Sequence, residues 1–253
     1  MKNIRIYLCD GTIDGIFTAI YEAWESKYGH QNIQIAEKQE NYQLFTDYLQ
    51  VITDGEKAEK VAESIKRKIS KGAYEMICRA ALCKNEKKAD AIYRFLLLGF
   101  GTGGQIIEQL AHPYVQPIFQ MDRRVNNEVL HYLGFLRFKQ LENSVLVARI
   151  RHENHIITLL SSHFADRLPE ENWMIYDEGR RCATVHRAGG RWFYTDGGGI
   201  NVEAFEKLSD KEKQMQLIWS HFVQAVGIKE RYNEKLQFQM LPKRYREFMP
   251  EVL

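Results

Sequence analysis

Apolar positions along the chain change their period near its middle. Residues 4–8 alternate and are rich in β-branched and aromatic side chains, which predicts a strand. Asp10-Gly11-Thr12 then turns the chain into a helix whose apolar face is Ile13, Ile16, Phe17, Ile20 and Trp24, at spacings of three and four. Asp54 is placed to cap a second helix, in which Ala58, Val61, Ala62, Ile65 and Ile69 make a narrow stripe beneath a charged surface. Helical periodicity continues over residues 73–83 and 89–98. The first hundred residues therefore read as mainly helical, with one or two strands.

Residues 118–133 predict one more helix, and strands follow it. Residues 134–141 and 145–150 flank Glu142-Asn143-Ser144, a short hairpin connection. Residues 156–167 return to helix. Residues 173–176, 182–186 and 192–195 are three further short strands, the last two joined across Ala188-Gly189-Gly190. Ser209 and Glu212 fit a capping box for a helix ending near Gly227, with Met215, Ile218, Trp219, Phe222 and Val226 as its inner face. The predicted class is α+β: a helical N-terminal half with a short strand, then an antiparallel sheet of about five strands packed with helices. The texture changes at His112-Pro113, giving a mainly helical region 1–112 and an α+β domain 113–253.

Composition narrows the setting. A chain of 253 residues with 45% hydrophobic and 27% charged residues can bury a sizeable core. Its longest apolar run, residues 95–100, is too short to cross a bilayer, so no membrane partner is expected. Residues 1–3 and the strand behind them lack signal-peptide character, and Cys9, Cys78, Cys83 and Cys182 show neither a CxxC pair nor a disulfide spacing. A cytoplasmic protein with reduced thiols is the expectation. The net charge of +2 is unevenly spread: residues 56–94 hold eleven Lys/Arg against six Asp/Glu, and residues 229–247 hold six against three. Either stretch could attract phosphate, or simply be a solvated face.

Few motifs rise above that background. Gly99-Phe100-Gly101-Thr102-Gly103-Gly104 matches GxGxxG, but the residues before it read as helix and no parallel strand follows, so a glycine-rich turn between helices is expected rather than a dinucleotide site. His152, His155 and His163 match no standard zinc spacing, and neither a metal nor a cofactor is assigned. The most informative polar group is His163, Arg167, Asp177 and Arg180, with Arg181 beside it. His163 and Arg167 share a helix face, and the turn after the 173–176 strand can bring Asp177 and Arg180 near it. Such a group suits either an acid/base histidine with arginines on a phosphate, or an Arg–Asp clamp between helix and sheet. In the tail, Lys243-Arg244-Tyr245-Arg246, preceded by Arg231 and Asn233, interleaves base with aromatic. It suits a nucleic-acid contact with Tyr245 as a stacking face, or a terminal helix packing Tyr245, Phe248 and Met249 on the core.

An ordered set of motifs carries a resemblance across nearly the whole chain. It comprises Asp10-Gly11-Thr12-Ile13-Asp14-Gly15-Ile16, Gly134-Phe135-Leu136-Arg137-Phe138, His163-Phe164-Ala165-Asp166-Arg167, Trp173-Met174-Ile175-Tyr176-Asp177-Glu178-Gly179-Arg180 and Leu241-Pro242-Lys243-Arg244-Tyr245. Together they resemble a bacterial DNA-metabolism or DNA-repair family that accompanies a radical SAM protein. The C-terminal half resembles an uncharacterised domain also found fused to uracil-DNA glycosylase-like domains. The resemblance implies a companion radical SAM protein and DNA as partners. This chain has no CxxxCxxC for an iron–sulfur cluster and no glycosylase motifs, so it would be the accessory half of such a pair or an enzyme of undescribed type.

Three expectations follow. The first is a DNA- or partner-binding module that uses Arg231, Lys243, Arg244, Tyr245 and Arg246 on DNA. The second is an enzyme acting on DNA or a nucleotide, with His163 as acid/base, Arg167 and Arg180 on phosphate, and Asp177 beside them. The third keeps that polar group as a clamp and leaves the function to the companion. With no complete nucleophile, metal or cofactor motif, the first is preferred.

Overall fold

The computed structural model describes residues 3–39, 43–228, 231 and 233–249. It is α+β and divides into two compact units, Met1–Asn127 and Glu128–Leu253.

The first unit opens with β1 (Ile4–Leu8), α1 (Ile13–Glu25), β2 (Ile33–Ala36) and β3 (Thr46–Gln50). The strands form a parallel sheet in the order β2-β1-β3. Three strands stand where one or two were expected. β3 is a polar edge strand whose residues are half-buried or exposed, so it lacks the alternation that marks a one-sided strand. Thr12 caps α1 by accepting from Gly15 N, and α1 buries Ile16, Phe17 and Ile20.

Helices α2 (Gly55–Lys68), α3 (Lys71–Ala81) and α4 (Lys88–Thr102) follow. Asp54 caps α2 as its sequence position predicts, accepting from Glu56 N and Lys57 N, and Ser70 caps α3. The glycine run begins inside α4 rather than in a turn. Gly99 is buried against Ile69, whose Cδ1 would lie 2.7 Å from a Cβ placed there, and Gly103 ends the helix at φ 67° before a 3₁₀ turn. Helix α5 (Gln116–Phe135) begins in this unit and contributes its last turns, from Glu128 onward, to the second.

The second unit contains β4 (Lys139–Gln140), β5 (Leu146–Ile150), α6 (Ile157–Arg167), β6 (Trp173–Asp177), β7 (Cys182–His186) and β8 (Trp192–Asp196). The sheet runs β4-β5-β6-β7-β8, antiparallel except that β5 and β6 are parallel. The expected sheet was antiparallel throughout; α6 is a crossover between β5 and β6, so β6 returns in the same direction. The expected strand over 134–141 shrinks to two residues because α5 continues to Phe135. On one sheet face Ser161 of α6 meets Thr184 at 2.6 Å. On the other, Leu141, Val147, Tyr176, Ala183 and Phe205 form a small core.

Helices α7 (Asp210–Val226), α8 (Glu234–Met240) and α9 (Lys243–Arg246) complete the unit. Half of the expected capping box is present: Ser209 accepts from Glu212 N, while the Glu212 carboxylate accepts from Gln140 N. The face of α7 expected to point inward does not. Met215, Ile218, Trp219, Phe222 and Val226 are all exposed, Phe222 by 53%. Among the described residues no helix is long and apolar enough to cross a membrane.

Candidate functional site

The polar centre of the second unit lies at the carboxyl ends of its two parallel strands, where Ile150 and Asp177 are in register. In α/β sheets this edge is where ligands collect. Asp177 ends β6 and is fully buried. Its Oδ1 accepts from Gly179 N at 2.9 Å and Arg180 N at 3.1 Å, an Asx turn that fixes the loop behind the strand. Its Oδ2 lies 3.3 Å from Arg180 Nη1 and 3.2 Å from His152 Nε2, the latter too poorly aligned for a hydrogen bond.

His152 follows β5. Its Nδ1 faces Arg180 Nη1 at 3.1 Å. A guanidinium only donates, so Nδ1 is the acceptor and the imidazole proton belongs on Nε2, toward Asp177. Burial pushes the His152 pKa down; the Asp177 carboxylate opposes that and the Arg180 charge adds to it, leaving a neutral ring. Arg180 also donates to the carbonyls of His152 and Glu153.

Buried Glu128 of α5 holds the same loop from its other side. Its carboxylate accepts from Glu153 N, Asn154 N and Asn154 Nδ2, the last at 2.7 Å. Tyr132, one turn on, donates to Arg151 O at 2.6 Å. Outside this core, Glu178 accepts from Arg149 and Arg151, which also pair with Glu206 and Glu247.

Of the four residues expected to converge, the structure brings Asp177 and Arg180 together and adds His152. His163 and Arg167 stand exposed on α6, His163 with its ring edge against Phe164. The expectation failed because i, i+4 spacing fixes a shared helix face but not which residues the face meets. Glu128 and Asn154 were missed. Glu128 carried a signal: with Ile118, Met121, Val125 and Tyr132 it occupies the apolar stripe of α5, where a carboxylate demands buried partners. Among the described residues no three His, Cys, Asp or Glu side chains are grouped to hold a metal ion.

The tail residues separate into two kinds. Arg231 and Lys243 are exposed. Arg244 is exposed too, 3.0 Å from the Tyr245 hydroxyl and 3.6 Å from Glu153. Arg246 donates to Leu241 O and lies over the Phe238 ring. Tyr245 is only 3% exposed, its ring packed on Tyr132, Phe135 and His131. The stacking face expected of Tyr245 is therefore spent inside the protein, and its helix is anchored to α5.

Comparison with known proteins adds one relationship. Residues 86–251 match the model of a family described as a domain of unknown function, DUF4130. No curated protein matches. A solved structure described as the DHH domain of a member of a ribosomal-protein family is similar at 13% identity and a TM-score of 0.24. That similarity covers 76% of this chain and 56% of the other, and at that score it carries no argument.

Proposed function

Since the chain belongs to the DUF4130 family of unknown function, we propose its role from its own geometry: a binding module of DNA metabolism that works with a companion radical SAM protein in the cytoplasm. The observation that carries a binding role is the open face of α7. Met215, Ile218, Trp219, Phe222, Val223 and Val226 follow one another at spacings of one and three, and all are exposed. From Gln214 to Ile228 the sequence contains no Asp, Glu, Lys or Arg. Covering such a row removes apolar surface from water at about 25 cal/mol per Å², and contiguous apolar patches mark partner sites.

The companion and the DNA setting come from the motif resemblance. The DNA part gains support from Lys66, Arg67, Lys68 and Lys71, which are exposed around the α2–α3 turn. Lys243 and Arg244 give a second basic point in the other unit. The enzymatic alternative has less support. Asp177 and His152 have no solvent-exposed side-chain surface, and His163 has no carboxylate among its described contacts.

The test is co-purification of the tagged chain with the companion, followed by DNA binding of the pair. Trp219→Ser with Phe222→Ser should leave the fold intact and abolish the complex. Equal recovery of the companion with parent and variant would rule out α7 as the docking face.

A further inference from the structure

The sheet of the second unit carries α6 on one face, and its other face opens toward the edge strand β8. On that open face the cross-strand neighbours Val147, Met174, Val185 and Phe193 form a single row. Exposure grows along it: Val147 is buried, Met174 and Val185 are half-buried, and Phe193 is 54% exposed.

Positive charge gathers at the end of the same strands. Arg187 directly follows β7 and Arg191 directly precedes β8, so the alternation of side chains puts both on the face of Val185 and Phe193. Both are exposed, and among the described residues neither pairs with a carboxylate. From Gly179 to Thr195 the sequence contains no Asp or Glu. The turn between the two arginines is fixed. Gly189 adopts φ 67°, Gly190 N donates to Arg187 O at 2.8 Å, and Ala188 N and Gly189 N donate to Asn172 Oδ1 and Pro169 O. Glu170 and Glu171 belong to the loop that receives those bonds, which meets the hairpin from the α6 side through His186.

Two unpaired guanidiniums beside a bare ring on a flat surface call for an anion attached to a planar group. A guanidinium fits a phosphate in bidentate fashion, and an aromatic ring offers a base a stacking partner. A duplex keeps its base faces stacked inside, so an unpaired strand is what can present both. An acidic peptide would answer the charges and leave the ring bare.

We propose that a single-stranded nucleic acid crosses this face, with one base stacked on Phe193 and the phosphates beside it on Arg187 and Arg191. This adds to the reading above a site that needs neither α7, the companion nor the C-terminal tail.

The experiment follows the fluorescence anisotropy of labelled oligomers of about twelve nucleotides with the full chain alone at low salt. Oligo-dT, oligo-U and a duplex of equal length are compared. Oligo-dT or oligo-U should bind saturably and more tightly than the duplex. Phe193→Ala should weaken that strand about tenfold and leave the salt slope unchanged. Arg187→Gln with Arg191→Gln should instead lower the slope of log affinity against log salt by roughly 1.4. Circular dichroism should not change in either variant, since all three side chains are exposed. Absence of saturable binding by both single strands would overturn the proposal, as would a duplex bound as tightly or a folded Phe193→Ala variant as tight as the parent. Polyglutamate displacing the strand as well as unlabelled oligomer does would assign the face to an acidic peptide instead. Because the companion is left out, none of these failures bears on its docking at α7.

Discussion

His152 Nε2 stands 3.2 Å from Asp177 Oδ2 with both side chains shut off from solvent, and Arg180 Nη1 lies 3.3 Å from that same oxygen and 3.1 Å from His152 Nδ1. The three groups depend on one another. Removing the carboxylate takes the facing charge from a buried imidazole N–H and the counter-ion from a partly buried guanidinium, which keeps only the carbonyls of His152 and Glu153 and the His152 ring. Asp177→Ala should therefore destabilise the protein by about 3 to 5 kcal/mol. Urea denaturation measures this, and a loss under about 1 kcal/mol would mean the group is no clamp.

The same triangle sets a pH dependence. His152 titrates near 6.5 when unfolded and at about 4 when folded, chiefly because burial disfavours its charged form. Between those values the unfolded chain binds the extra proton, so stability rises with pH. The contribution is fully present above pH 6.5 and is lost progressively as pH falls toward 4. A His152→Gln variant should show a flatter urea midpoint between pH 6.5 and 4 than the parent. Parallel profiles would remove His152 from the acid response.

Glu128 offers a third test. Its carboxylate accepts three N–H donors from the 153–154 loop, and its residue is 3% exposed. Glu128→Gln puts an amide in their path, and hydrogen bonds to a buried charge contribute about 1.5 to 3 kcal/mol each. The variant should lose about that much in urea, with an unchanged slope.

What the sequence shows and hides follows from which interactions are local. Asp54, Ser209 and the 182–195 hairpin were legible because caps and tight turns are settled within a few residues. The fold class followed from them. β3 was hidden because an edge strand with little buried surface needs no alternation. Asp177 and Arg180 were found because a three-residue turn joins them, whereas His152 reaches Asp177 only through the β5–β6 register, which no local spacing encodes. The stripe of α7 was expected to face inward and is exposed, because periodicity says nothing of what lies opposite it.

The glycine run supplies a pair of opposite signs. Gly101 lies in the last turn of α4, with nothing within 4 Å of an added Cβ. Gly101→Ala should stabilise by about 0.5 kcal/mol, since alanine loses less backbone entropy in a helix. Gly103 adopts φ 67° and ψ −153°, a conformation left almost wholly to glycine. Gly103→Ala should destabilise by about 1 to 3 kcal/mol. Thermal melts of the two variants check both signs, and a destabilised Gly101→Ala would contradict the open space around it.

The C-terminal tail separates a DNA role from a structural one. Tyr245 is buried on Tyr132 and Phe135, so Tyr245→Ala removes a core ring and should cost about 3 to 5 kcal/mol of stability. It should not change the affinity of molecules that remain folded. Lys243 and Arg244 face solvent, and each phosphate contact they make would release counterions. Replacing both by Gln should lower the slope of log affinity against log salt by roughly 1.4 to 1.8. Arg246 is excluded from this sum because its guanidinium is tied to Leu241 O and Phe238. The measurement is a salt series of DNA binding with the companion present, run on the parent, Tyr245→Ala and the double Gln variant. An unchanged slope in a folded double variant would assign the tail to anchoring α9 and move any DNA contact to Lys66, Arg67, Lys68 and Lys71.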